Sequence, residues 1–207
     1  DNFGATGEPP THPELLDYLS VRFMEQGWSL KRLVRDLVLS RTYQLSTQVI
    51  AENREVDPGN RMCWRSNPRR LDAEAIRDAM LVASGLINLK PPGGSMVASI
   101  GDGTARARGR DFLNAQFHYR SIYLPIVRDF LPSCLEVFDF AEPSLVVAKR
   151  DASNVPTQAL YMMNNPFVME QARALAARST EGSIDQRVAL MYRAALCRPP
   201  SAQEAAR

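Results

Sequence analysis

Five prolines fall between Tyr119 and Phe167, at Pro125, Pro132, Pro143, Pro156 and Pro166. Each fixes φ and removes a backbone donor, so no long helix or central strand can run through this stretch. It must fold as short pieces, a strand or two and then helix starts, with Tyr123 and Pro125 setting a strand. Charges are set among its apolar runs: Asp129, Glu136, Asp139, Glu142 and Asp151, with Arg128, Lys149 and Arg150. A carboxylate among large apolar side chains is paired, solvent-facing or functional. In the plainer reading the charges satisfy one another, with Asp139 and Arg150 meeting across the strand. If a site exists here, its wall is Asp129, Asp139, Arg150, Asp151 and Asn154.

The flanking sequence follows a helical period instead. Thr11-His12-Pro13-Glu14 reads as a capping box, with the stripe Leu15, Leu16, Leu19 and Phe23 behind it and Gly27 as the stop. Ser29 caps the next stripe, Leu30, Leu33, Val34, Leu37 and Val38. Tyr43–Arg54 loses the period and reads as a connector, and Asp57-Pro58-Gly59-Asn60 as a turn. Asp72 caps a helix with Ala73, Ile76, Ala79, Met80 and Ala83 inward, Glu74, Arg77 and Asp78 outward, and Gly85 near its end. Asn165 caps a helix with Pro166 at its first position and Val168, Ala172, Leu175 and Ala176 inward. Ser183-Ile184-Asp185-Gln186 is a second capping box, followed by Val188, Met191, Tyr192 and Leu196. Ser201-Ala202-Gln203-Glu204 starts one more helix.

Composition excludes several classes. At 45% hydrophobic and 23% charged the 207 residues suit an ordinary globular chain. The net charge of +2 argues against nucleic acid as a partner, and no apolar run is long enough for a membrane helix. Cys63, Cys134 and Cys197 are an odd count without metal-ligand or haem-attachment spacing, so neither a metal nor a cofactor is expected in this piece. A Ser-His-Asp or Cys-His site would have to use His12 or His118, the two histidines, and each suits a surface or capping role better. Metalloprotease, P-loop and dinucleotide-binding patterns are absent. Gly93-Gly94-Ser95, with Arg106, Arg108 and Arg110, could cradle a phosphate, but no strand and helix flank the glycines, and a loop is the better reading. Trp64 between Arg61 and Arg65 could stack a sugar or a base. The alternative is a Trp at a core edge whose arginines pair with helix carboxylates.

Four blocks together resemble a known family. They are Asn2-Phe3-Gly4 with Gly7-Glu8-Pro9-Pro10-Thr11-His12-Pro13-Glu14 and Gly27-Trp28-Ser29; Asn67-Pro68-Arg69-Arg70-Leu71-Asp72; Arg120 to Pro125 with Phe138-Asp139-Phe140 and Asn154 to Phe167; and Arg198-Pro199-Pro200-Ser201. The chain is similar to the planctomycete-type C-terminal domain of unknown function, number fifteen fifty-three of that series. That resemblance implies an exported protein, periplasmic or at the cell surface, with several domains, often including a planctomycete-type cytochrome c domain. It brings no activity and no catalytic residues. It also implies a chain cut at both ends, beginning just after the family's aromatic and histidine-bearing lead-in. Cys197 stands where the family shows a glycine, which puts a glycine-type stop for that helix in doubt.

The expectation is a mainly α fold, a single multi-helix domain with a small irregular β component around residues 119–148. The expected role is a non-catalytic binding or structural module, its partners being neighbouring domains of the same polypeptide and a polysaccharide. The alternative is a hydrolase or lyase that acts on a glycan or ester through two of Asp129, Asp139, Glu142 and Asp151. Such chemistry needs two carboxyl groups at a defined separation, one with a raised pKa.

Overall fold

The computed structural model describes residues 4, 6–95, 117–126, 131–147 and 149–205. The fold is mainly α, and its contacts divide it into two compact units, Asp1–Arg70 and Leu71–Arg207.

The first unit holds α1 (Pro13–Glu25), α2 (Leu30–Val38) and α3 (Ala51–Val56). Pro13 stands in the first turn of α1, where a missing N–H costs nothing. The expected Thr11 cap does not form: His12 is the N-cap residue, and Thr11 Oγ1 instead meets its ring Nδ1 at 2.9 Å. The stop is as expected. Gly27 turns left-handed at φ +71°, its amide donates to Met24 O, and the Trp28 amide donates to Phe23 O. This paired pattern closes the carbonyls of the last turn and reverses the chain. Ser29 then caps α2 by accepting from the Arg32 amide. Arg22 Nε donates to Asp36 Oδ2 at 2.8 Å, and Phe23 meets Trp28 edge-on at 5.3 Å, which fixes the α1–α2 corner. The expected connector is partly helical, since α3 begins at Ala51. Its six residues are too few to display an apolar period, which is why the pattern gave no sign of it.

The second unit is built around α4 (Ala73–Ser84). It packs against the 3-10 turn Ser121–Tyr123, α5 (Ser133–Val137), α7 (Pro166–Arg178) and α8 (Ile184–Leu196); α6 (Pro156–Asn164) joins α5 to α7, and α9 (Ala202–Ala205) follows α8. Ala73, Leu124, Cys134, Leu135 and Phe138 form the core cluster, with Ile76, Met80, Phe140 and Tyr161 against it. Gly85 ends α4 at φ +79°, and a Cβ there would come within 3.0 Å of Arg178 Nη1, whose guanidinium donates to Ala83 O at 2.6 Å. Asn165 caps α7 and Ser183 caps α8 with Gln186 reaching back, both as the sequence implies.

Three inward-facing assignments change. On α4 the buried residues are Ala73, Arg77, Leu81, Ala83 and Ser84, with Ile76 and Met80 half-buried against the core as expected, Ala79 exposed and Arg77 inside. On α7 it is Val168, Gln171 and the half-buried Leu175, with Ala172 and Ala176 exposed. On α8, Val188, Met191 and Tyr192 are half-buried while Ile184 and Leu196 are exposed. The β component is also smaller than expected. Among the described residues of 119–148 there is no strand: the β content is a bridge between Tyr119 and Asn88, followed by the 3-10 turn. The cause lies in α4: Arg77 takes the Phe117 and Tyr119 carbonyls and Asp78 takes the Ser121 amide, the groups a strand partner would need. Gly93-Gly94-Ser95 is exposed and without regular structure, while Arg106, Arg108 and Arg110 lie outside the described residues.

Candidate functional site

The proline-punctuated stretch forms a knot at the end of α5. Phe138 ends that helix and Asp139 follows at φ +58°, the left-handed region usually left to glycine. The Phe140 amide donates back to Leu135 O at 3.0 Å, so this is a helix-stop turn with an aspartate in the glycine position. The carboxylate then accepts from the Ser153 amide at 2.8 Å and from Ser153 Oγ at 2.8 and 2.9 Å. Gln158, buried in the first turn of α6, donates to Val137 O and Ser153 Oγ and accepts from the Val155 amide. Asp139, Ser153 and Gln158 thus tie three short pieces of chain together, with bonds that satisfy buried polar groups.

Arg150 does something different. Its Nη1 donates to Glu74 Oε2 at 2.7 Å, across 76 residues of sequence, and its guanidinium lies over the Phe140 ring at 4.8 Å. Burial disfavours the Glu74 charge, but the Arg150 hydrogen bond, a backbone hydrogen bond and the Arg150 charge together outweigh it, and the carboxyl settles below its ordinary value. Asp151 and Asn154 are exposed, and Asp129 lies outside the described residues. Glu142 accepts from the Ser144 amide at 3.2 Å in a local turn. The structure therefore places Asp139 and Arg150 in two separate tethers. Asp36, Asp57, Glu74 and Glu204 are each held below the ordinary carboxyl value, the opposite of the shift a general acid needs. Among the described residues no three His, Cys, Asp or Glu side chains gather as a metal site, and no helix is long and apolar enough to cross a membrane.

The strongest charge constellation lies around Arg77, which sequence reading faced outward. The residue is 4% exposed. Its guanidinium donates to Tyr119 O at 2.9 Å, to Ser121 Oγ at 3.3 Å and to Phe117 O, and stacks on Phe167 at 5.2 Å. Asp78 beside it accepts from the Ser121 amide and hydroxyl, each at 2.7 Å. Burial lowers the Arg77 pKa below the ordinary arginine value. The same burial pushes the Cys134 thiol up to about 11 and raises the Tyr161 phenol, which is hydrogen-bonded to that thiol. A further buried link joins Ser84 Oγ to Gln171 Oε1 at 2.7 Å. One signal for Arg77 was present in the sequence. It sits four residues after Ala73 and four before Leu81, on the line of buried positions. Together these groups fix backbone and clamp helices.

The model of a family described as "PSD1: Protein of unknown function (DUF1553)" matches residues 1–207. No curated protein and no solved structure matches the chain. The chain belongs to that family of proteins of unknown function.

Proposed function

We propose that the chain is a non-catalytic binding or structural module of an exported multidomain protein, at the cell surface or linked to a cytochrome c domain. In this reading α1 and α2 seat it on a neighbouring domain of the same polypeptide. The observation that carries it is their apolar stripe. Neither helix contains a buried residue; Leu30 is 68% exposed, Val34 55%, and Leu15 and Leu16 53% each. Exposed apolar side chains in such a stripe suit an interaction surface, since covering them removes apolar area from water. The export and the cytochrome link rest on the family resemblance. The fixed roles of Asp139, Glu142 and Glu74 favour structure over catalysis.

Hydrogen exchange tests the docking, with the chain measured alone and joined to its flanking domain. The α1 and α2 amides are expected to exchange more slowly in the longer protein. Equal exchange in the two would reject docking through this face.

A further inference from the structure

A second surface of the first unit has a different character. Residues 61–70 contain Arg61, Arg65, Arg69 and Arg70 and no Asp or Glu, in a chain whose net charge is only +2. The loop that carries them is rigidly built. Asp57 accepts from the Arg61 and Met62 amides at 2.9 and 2.7 Å, and its carbonyl accepts from Trp64 Nε1 at 3.0 Å. Asn60, 8% exposed, donates to Arg65 O at 2.8 Å and to Asn67 Oδ1 at 3.1 Å, and accepts from the Arg65 amide. The Ser66 amide anchors the far side on Ser46 O.

The expected helix carboxylates do not meet these arginines. Among the described residues Arg61, Arg65 and Arg69 form no ion pair. Asp57, the carboxylate beside the loop, spends its oxygens on amides, although the charge of Arg61 helps hold its pKa down. Arg65 lies over the Trp64 ring at 5.2 Å, and its Nε has no acceptor among the described residues. Guanidinium forks carried on a hydrogen-bonded loop and engaged in no ion pair suit planar carboxylates, since a fork can make two parallel charge-assisted bonds.

We propose that the 57–70 loop binds an acidic polysaccharide, a polymer of uronic-acid type, through Arg61, Arg65 and Arg69. Its carboxylates recur along the chain and match a loop that carries four arginines against the single carboxylate of Asp57. Single-stranded nucleic acid fits less well. Binding it calls for successive open aromatic faces, and this loop offers one indole already covered by Arg65.

The test uses the full 207-residue chain with polygalacturonate, neutral dextran and a single-stranded DNA oligonucleotide, followed by Trp fluorescence and calorimetry at low and high salt. Polygalacturonate is expected to bind at low salt and weaken at high salt, with dextran inert and DNA weaker. The double variant Arg61→Glu/Arg69→Glu should bind about tenfold or more weakly. Lys31→Glu/Arg35→Glu on α2 makes the same charge change elsewhere and should bind as the parent does, with unchanged circular dichroism in both variants. Absence of polygalacturonate binding, equal loss in the α2 variant, or tighter binding of DNA would each overturn the proposal.

Discussion

Cys197 shows at the scale of one residue how a local rule can be broken and still obeyed in shape. It ends α8 at φ +54° and ψ +25°, and its amide donates to Arg193 O. The helix stops by the left-handed turn that a glycine would make, with a cysteine bearing the strain. Left-handed backbone costs a non-glycine residue about 1–2 kcal/mol. Part of that gain is lost again because glycine is freer when unfolded. Cys197→Gly is therefore expected to raise stability by about 1 kcal/mol, read as a higher denaturant midpoint at unchanged slope. Asp139 occupies the same backbone region, and its bonds to Ser153 compensate. Arg77 shows the limit of residue-level reading. Charge alone turns it outward, while the carbonyls that hold it inside lie 40 and 42 residues further on. Nothing near it in sequence announces them.

Single elements were legible where the deciding contact is local. The caps at Ser29, Asn165 and Ser183, and the stops at Gly27 and Gly85, depend on three or four neighbouring residues. They can be read from those neighbours alone. The 3-10 turn at Ser121–Tyr123 was not legible, because α4 side chains displace the ladder that its apolar sequence suggests. The last helix allows a test of an element through pH. Glu204 accepts two bonds from Arg198, at 2.7 and 2.8 Å, and one from the Ser201 amide. Those contacts, Arg198 first, depress its pKa to about 2 from an ordinary 4.5. A depressed carboxyl contributes stability above its unfolded pKa and loses it as pH falls through the folded one. The Ser201 and Glu204 amides should thus stay protected at neutral pH and lose protection between pH 4.5 and about 2, as followed by hydrogen exchange. The pair is exposed, so the effect stays within α9 and weakens in salt.

At the scale of the whole molecule, helical content was evident from periodicity, whereas the division of burial was not. Among the described residues, every buried apolar side chain of the core, from Ala73 to Val168, belongs to the second unit, and in the first unit the one buried residue is Asn60. Periodicity shows that a stripe exists and is silent on what covers it. The candidate site was half legible for the same reason. Asp139 and Arg150 are the residues that hold the stretch in place, but Ser153 and Glu74 are their partners. That division has a practical use through the three thiols. Cys63 and Cys197 are exposed, while Cys134 lies in the core with its pKa pushed to about 11. A thiol reagent attacks the thiolate. At mildly alkaline pH the native protein should therefore consume two equivalents of a disulfide reagent quickly, and the third only as fast as the second unit opens. Three rapid equivalents without denaturant would refute the burial of Cys134. With two, the slow phase becomes a built-in stopwatch for the opening of the core, and no label need be engineered to read it.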